Sequence, residues 1–138
     1  MPNQYKGSCL CGAVTYSADV EPRYQFNCHC RDCQKATGGG YAPIAFFQQS
    51  ELNIQGELHY FESLGSSGKS IRRAFCPNCG SQMFGLPELV PDMISIRAGT
   101  LDDPNMYQPK AEIFVSHANE WDVLNPNISH FEEMMKKR

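Results

Sequence analysis

The sequence predicts a mostly-β protein with one short α-helix, and three features of the sequence support this prediction. Short β-prone segments recur along the chain, separated by glycine, proline and polar turns. The clearest helical segment, residues 31–37, ends at the three glycines Gly38–Gly40, which stop a helix firmly. The cysteines fall into groups whose spacing is typical of metal-binding turns.

The first half of the chain supplies three of the predicted strands. Residues 13–18 alternate and are β-prone, and residues 24–27 form a short strand that leads into Cys28. Residues 41–47 are an apolar run bounded by turn signals, which indicates a buried strand. Because Pro43 has no backbone N–H, we expect it near a sheet edge or a bulge.

The second half of the chain predicts a hairpin and further strands. Residues 52–55 and 58–61 flank Gly56-Glu57, which favours two strands joined by a tight turn. The other strands are predicted at residues 70–75, 93–98 and 111–115. Residues 128–137 predict either a short terminal helix or a frayed tail.

Length and charge limit the classes of protein that the chain can represent. We expect residues 1–138 to form a single domain, because domains of about 100–150 residues are the commonest. The net charge is -3, and the 12 basic residues are scattered except for Lys136-Lys137-Arg138. The sequence therefore has no basic face of the kind that binds nucleic acid, and we expect the terminal run to be a solvated tail.

Cysteine usage indicates the compartment. The first residues contain no apolar segment typical of a signal peptide, and no run approaches the ~18 apolar residues of a membrane span. The seven cysteines are an odd number, and disulfides are rare in reducing compartments. We therefore expect a cytoplasmic protein whose cysteines bind metal or take part in catalysis, with no membrane or nucleic-acid partner.

Cys28, Cys30 and Cys33 are the central feature of the sequence. On a strand, residues two apart point to the same side, and in a helix residues three apart share a face. Three sulfurs can therefore converge, which leaves the fourth position of a tetrahedral metal open, as in catalytic zinc sites. The alternative is that Cys28 or Cys30 is a buried core thiol and the others are surface thiols.

The remaining cysteines form two pairs. Cys76 and Cys79 have the spacing of a zinc knuckle, and the following glycine favours the tight turn. Cys9 and Cys11 can supply two more thiolates from far away in sequence, which would close a structural four-cysteine site. The alternative is that Cys76 and Cys79 are a redox dithiol.

Several polar groups lie beside the three-cysteine group in sequence. Arg31 and Lys35 would favour thiolate over thiol and attract an anionic substrate, although an ordinary exposed helix face explains either residue equally well. The backbone amides of Gly38–Gly40 can bind a carboxylate or can belong to a flexible turn.

Histidines are weak candidates for proton transfer in this sequence. His29 lies between two of the cysteines, and we expect it to point away from a metal bound there. We expect His59 and His117 at surface or packing positions.

Three cysteine-containing segments stand in the order found in a known family. They are G-S-C-L-C-G at residues 7–12, C-H-C-R-D-C-Q-K at residues 28–35 and C-P-N-C-G at residues 76–80. Together they resemble the glutathione-dependent formaldehyde-activating enzyme family, also called the GFA or centromere protein V family. The resemblance runs from about Tyr5 to Trp121, and many members have histidine where this chain has Glu112.

The resemblance implies a β-tent fold of antiparallel sheets held together by zinc, as in methionine sulfoxide reductase B. It implies a structural Zn²⁺ bound by Cys9, Cys11, Cys76 and Cys79. It also implies a second, catalytic Zn²⁺ on the substrate side, bound by Cys28, Cys30 and Cys33. The family's named activity is carbon–sulfur bond formation and cleavage, in which glutathione and formaldehyde give S-hydroxymethylglutathione.

Three hypotheses for the function follow. The first is a zinc-dependent carbon–sulfur lyase whose partner is a small-molecule thiol such as glutathione. The second is a non-catalytic scaffold or binding module that uses zinc only to fold, and the third is a redox protein that uses Cys76 and Cys79. The sequence leaves the thiol, its electrophile and the choice between a monomer and a homodimer open.

Overall fold

The computed structural model describes residues 4–135 and contains eleven β-strands and one α-helix in that range. The strands are β1 Tyr5–Ser8, β2 Thr15–Ala18, β3 Tyr24–Cys28, β4 Ala42–Gln48, β5 Asn53–Gln55, β6 His59–Leu64, β7 Ser70–Phe75, β8 Gln82–Pro87, β9 Met93–Arg97, β10 Ala111–Ile113 and β11 Ser129–His130. The helix is α1, Arg31–Thr37. Short 3₁₀ turns occupy Gln49–Glu51, Ala98–Thr100, Pro104–Met106 and Val115–His117. The predicted mostly-β class with one short helix is confirmed.

The strands form two sheets. The smaller sheet has the order β1-β2-β5, and the larger has the order β11-β10-β3-β4-β9-β8-β7-β6. All strand pairs are antiparallel except that β10 runs parallel to both β3 and β11. The chain must therefore cross over before β10. Because β10 and β3 are parallel, the segment after β10 lies beside the end of β3.

The main hydrophobic core lies between the two sheets. Tyr5 and Tyr16 of the smaller sheet pack edge-on against Phe47 and Phe84 of the larger sheet. A second apolar cluster lies around Cys28 and includes Cys33 of α1, with Phe26, Ala42, Ile44, Ala111, Ile113 and Phe114. The cysteines of residues 28–33 therefore belong to a cluster separate from the main core.

The helix has the predicted bounds. Cys30 is its N-cap, and the Cys30 thiol accepts a hydrogen bond from the backbone N–H of Cys33 at 3.3 Å. Gly38 is its C-cap, with a φ of 75° that glycine adopts without steric cost. The Gly38 N–H donates to the carbonyl of Gln34 at 2.8 Å, which ends the helix.

Two details of the strand prediction are wrong. Residues 53–55 and 59–64 do not form a hairpin, because β5 pairs with β2 and β6 pairs with β7. Strand β4 is central rather than at an edge, and it pairs with both β3 and β9. Pro43 is tolerated because pairing with β9 begins only at Ile44, so the ladder needs no N–H from the proline on that side.

Other differences concern segments with weak periodicity. Strands β1 and β8 were not predicted, because glycine and proline interrupt their alternation. Residues 129–130 form strand β11 instead of a terminal helix, because they pair with β10. The basic run at residues 136–138 lies outside the described residues. Within residues 4–135 the structure contains no candidate membrane-spanning helix.

Candidate metal centres

Four cysteines meet where the two sheets are joined. Cys9 and Cys11 follow β1, Cys76 and Cys79 follow β7, and all four sulfurs lie within 4.8 Å of one another. The sulfur–sulfur distance is 3.6 Å from Cys9 to Cys11 and 3.7 Å from Cys11 to Cys76. This group could hold a metal ion, and the predicted grouping of the two pairs is present in the structure.

Two glycine turns shape this group. Gly12 and Gly80 follow the second cysteine of each pair with φ of 82° and 79°, a backbone conformation that favours glycine. The Leu10 N–H donates to the Ser81 hydroxyl at 3.1 Å, which connects the two turns directly. Hydrogen bonding with the Ser81 hydroxyl lowers the pKa of the Cys79 thiol to about 5, which favours the thiolate that binds metal.

The second group consists of Cys28 at the end of β3, Cys30 at the N-cap of α1 and Cys33 in its first turn. Their sulfurs also lie within 4.8 Å of one another, and no fourth His, Cys, Asp or Glu of residues 4–135 joins them. Cys28 and Cys33 are buried, and Cys30 is partly exposed. The group could hold a metal ion with one position left for a ligand from outside the chain.

The three thiols of this group differ in pKa. Hydrogen bonds from Cys28 and Cys33, with the Cys33 N–H and the nearby charge of Arg73, lower the pKa of Cys30. The pKa of Cys28 is raised by its hydrogen bonds to Cys30 and Cys33, together with burial. Cys30, the most exposed of the three, is therefore the first to become a thiolate.

Two buried arginines accompany this group, and the sequence analysis missed both. Arg73 of β7 and Arg97 of β9 are each 7% exposed. Burial lowers the pKa of Arg97, while the charges of the three cysteines act to raise it. The signal that could have found Arg97 is its position two residues after Ser95, on one face of an otherwise apolar strand.

His29 is completely buried between two carboxylates. Its Nδ1 lies 2.6 Å from an oxygen of Asp122, and its Nε2 lies 2.7 Å from an oxygen of Glu112. Burial tends to raise the pKa of Glu112, but hydrogen bonds from the Asn125 N–H and from His29 lower it. Because both ring nitrogens contact carboxylates, neither is free to bind a metal at the cysteines, and the imidazole ties β10 and the loop after it to the segment of Cys28 and Cys30.

The polar groups that the sequence places beside the three-cysteine group are either exposed or already hydrogen-bonded within the chain. Arg31 and Lys35 are exposed, and Arg31 donates to the side chain of Gln34. The amides of Gly38 and Gly39 donate to the Gln34 carbonyl and the Thr37 hydroxyl, so neither is free for a carboxylate.

His59 and His117 lie at the surface, as expected. His59 packs against Phe75, with ring centroids 5.9 Å apart. The Nδ1 atom of His117 accepts a hydrogen bond from the Arg31 N–H at 3.3 Å.

The fold and the two thiol groups define a class of protein: a small mostly-β protein with one closed and one open cysteine cluster, each able to hold a metal ion. The family model for the glutathione-dependent formaldehyde-activating enzyme matches residues 4–117. The chain belongs to this family, which confirms the resemblance noted from the cysteine motifs.

Individual relatives agree with this assignment. A Halomonas elongata protein, "Putative glutathione-dependent formaldehyde-activating enzyme", is 29% identical over 122 residues, which cover 84% of this chain and 78% of that protein. A Schizosaccharomyces pombe protein, "Uncharacterized lyase C29B12.13", is 25% identical over 81 residues, which cover 59% of this chain and 56% of that one. A Rhodobacter sphaeroides crystal structure, at 20% identity, shares the fold with a TM-score of 0.55 over 91% of this chain and 98% of its own.

Proposed function

We propose that this protein is a zinc-dependent carbon–sulfur lyase that makes and breaks the bond between a small thiol and an aldehyde carbon. In this proposal Cys28, Cys30 and Cys33 hold the catalytic zinc, and the four-cysteine group holds a structural zinc. The observation that carries the proposal is the open cluster, in which three thiols converge and the described residues supply no fourth ligand.

The sulfur spacing suits zinc. Four thiolates about 2.3 Å from a tetrahedral Zn²⁺ stand about 3.8 Å apart. The separations of 3.6 Å and 3.7 Å in the four-cysteine group match this value. Both clusters also consist only of thiols, which are soft ligands that prefer zinc to magnesium or calcium.

The chain's own residues prepare the open cluster for a thiol substrate. When bound, a zinc with three thiolate ligands supplies an open position at which a thiol is held as the nucleophilic thiolate. The helix cap fixes the Cys30 sulfur, and the buried arginines place positive charge beside the thiolates. In the forward reaction the thiol S–H bond breaks, the sulfur bonds to the aldehyde carbon, and the aldehyde oxygen takes up a proton in place of the one that the thiol released. The reverse reaction breaks the same bond.

The family and its relatives suggest the substrates. The matching family model names glutathione as the thiol and formaldehyde as the aldehyde, and we propose the same substrate classes for this chain. Cysteines that serve as metal ligands must remain reduced, so the proposal also places the protein in a reducing compartment such as the cytoplasm.

Zinc content and thiol ligation test the proposal first. Protein purified without chelator should contain about two zinc ions per chain. X-ray absorption with glutathione present should then show only sulfur neighbours, about 2.3 Å from the metal. Oxygen that persists at high thiol concentration and mildly alkaline pH would point to the scaffold alternative.

Exchange kinetics test the chemistry. Thiols and formaldehyde combine without a catalyst, so the measurement is the rate of exchange between glutathione and its hydroxymethyl adduct by NMR. We expect the protein to accelerate this exchange, Cys30→Ser to lose the acceleration, and the exposed-residue control Lys35→Gln to keep it. An unaccelerated rate with both zinc ions bound would refute the enzymatic proposal.

A further inference from the structure

Arg73 and Arg97 are two buried cations without an acidic partner in the described structure. Within residues 4–135 the ion pairs are Arg23–Glu51, His29–Glu112 and His29–Asp122, and neither buried arginine takes part in one. Their hydrogen-bond acceptors are neutral. Arg97 donates to Gln82 at 2.6 Å and to Ser95 at 3.0 Å, and Arg73 donates to Ser63 at 3.0 Å.

One donor is left without any acceptor. Nε of Arg73 is buried and has no hydrogen-bond partner among the described residues. A buried charge is costly unless it is paired, and a buried donor without an acceptor adds a further penalty. Two such features in neighbouring arginines indicate that an anion from outside the chain completes this part of the structure.

Sheet register places the arginines on the same face as the open cluster. Directly opposite residues of paired strands share a face, and Arg73 is opposite Gly85, which is opposite Ser95. Arg97, two residues after Ser95, is opposite Ile44. Ile44 is opposite Phe26, two residues before Cys28, so the arginines and Cys28 lie on one side of the larger sheet.

Gly85 makes room for the two side chains. A Cβ atom at this position would lie 2.7 Å from the Ser95 hydroxyl and 3.1 Å and 3.2 Å from the terminal nitrogens of Arg97. The guanidinium of Arg97 therefore lies across β8, toward Arg73. The charges of the two arginines oppose each other there, since Arg73 lowers the pKa of Arg97.

The charges of the cluster compensate only part of this positive charge. Three thiolates and one Zn²⁺ sum to -1, whereas the two guanidinium groups sum to +2. The thiolate of a substrate could neutralise the remaining positive charge, but sulfur is a weak hydrogen-bond acceptor and would not satisfy the free donor well. A carboxylate satisfies the free donor better, because its two oxygens match the fork of a guanidinium group.

We propose that Arg73 and Arg97 form a carboxylate subsite beside the three-cysteine cluster, which makes the protein specific for thiols that carry a carboxylate. The inference rests on the proposed function, because it assumes that the cluster binds the sulfur of the same molecule. It assigns recognition of the substrate's negative charge to the buried arginines rather than to Arg31 and Lys35, which are exposed.

Small thiols test the subsite in the zinc-loaded protein. At pH 8, calorimetry should show that 3-mercaptopropionate binds about tenfold tighter than 2-mercaptoethanol, as expected for one charge-assisted hydrogen-bonded contact. Arg73→Gln should remove this preference and leave the binding of 2-mercaptoethanol within about threefold of the parent value. Arg72→Gln is the matched control, because Arg72 is exposed and stacks on Tyr60, 4.9 Å from its ring centre.

Three results would overturn the subsite: no preference in the parent protein, a preference that survives in Arg73→Gln, or equal weakening of both thiols. If Arg73→Gln does not fold, the parent protein's order of affinities decides. The ammonium group of cysteamine makes its thiol the most acidic of the three, yet the subsite predicts that it binds more weakly than 2-mercaptoethanol. Cysteamine binding as tightly as 3-mercaptopropionate would overturn the proposal.

Propionate, which has no thiol, separates this inference from the proposed function. It should raise the melting temperature of the parent and Arg72→Gln proteins but not that of Arg73→Gln. If propionate behaves in this way while no thiol sulfur reaches the zinc, the lyase proposal fails and the subsite stands. If thiols bind through sulfur but propionate has no effect on the parent protein, the subsite is wrong and the lyase proposal stands.

Discussion

Replacing His29 by leucine should destabilise the protein more than any surface substitution. The imidazole is fully buried and lies 2.6 Å and 2.7 Å from oxygens of Asp122 and Glu112, whose side chains are 6% and 3% exposed. Leucine fills a similar volume but offers no donor, so the two buried carboxylates would lose the imidazole between them, and Glu112 would keep its hydrogen bond from the Asn125 N–H. Breaking a buried ion pair from one side costs about 3–5 kcal/mol, and this is the loss that we expect.

Urea unfolding followed by circular dichroism, with zinc present throughout, measures this loss. The matched control is His59→Leu, because His59 is exposed, and its unfolding free energy should change by less than about 0.5 kcal/mol. A loss of less than about 1 kcal/mol for His29→Leu would refute the reasoning, since the two carboxylates would then have found other partners.

A double variant tests the cause of the loss. If the cost arises from unpaired negative charge, adding Glu112→Gln to His29→Leu should recover part of the stability, although Glu112→Gln alone destabilises the parent protein. In such double-mutant cycles, residues in direct contact show interaction energies of about 0.5–3 kcal/mol. Strictly additive effects would show that lost packing, rather than charge, explains the result.

Three further predictions concern the metal sites and pH. Cys76→Ser should sharply lower the melting temperature and the soluble yield, because structural zinc contributes directly to folding; a melting temperature within about two degrees of the parent value would contradict this. Cys30→Ser should remain folded with about one zinc fewer, and in the parent protein a mild chelator should empty the three-cysteine site before the four-cysteine site, as metal analysis would show. Burial raises the pKa of Tyr16, so its contribution to stability is complete below the ordinary tyrosine pKa of about 10 and is lost as pH rises above it. By about pH 11 the parent should have lost about 1.4 kcal/mol more than Tyr16→Phe in the same urea titrations, because the variant keeps every other tyrosine.

Local sequence rules predicted those parts of the structure that depend on neighbouring residues. The bounds of α1, the glycine turns after the cysteine pairs and the convergence of the sulfurs of Cys28, Cys30 and Cys33 all follow from spacing and backbone preferences over a few residues. Strand β9 alternates strongly and was also predicted, one residue too long.

Features that depend on sheet assembly could not be read from the sequence. The segments around Gly56 have the pattern of a hairpin, and only the packing of the whole chain assigns β5 and β6 to different sheets. In the sequence, Arg73 and Arg97 look like ordinary polar residues of alternating strands. Only the assembled structure shows that their side chains are buried. His29 and Glu112 meet because β10 runs parallel to β3, a pairing between segments more than 80 residues apart.

The four-cysteine group has a consequence for synthesis on the ribosome. Cys11 and Cys76 are 65 residues apart in sequence, so at about 5–20 residues per second the first pair emerges several seconds before the second. Cys28, Cys30 and Cys33 emerge during that interval, and all three lie within six residues. The nascent chain therefore presents a complete three-thiol cluster next to an incomplete pair.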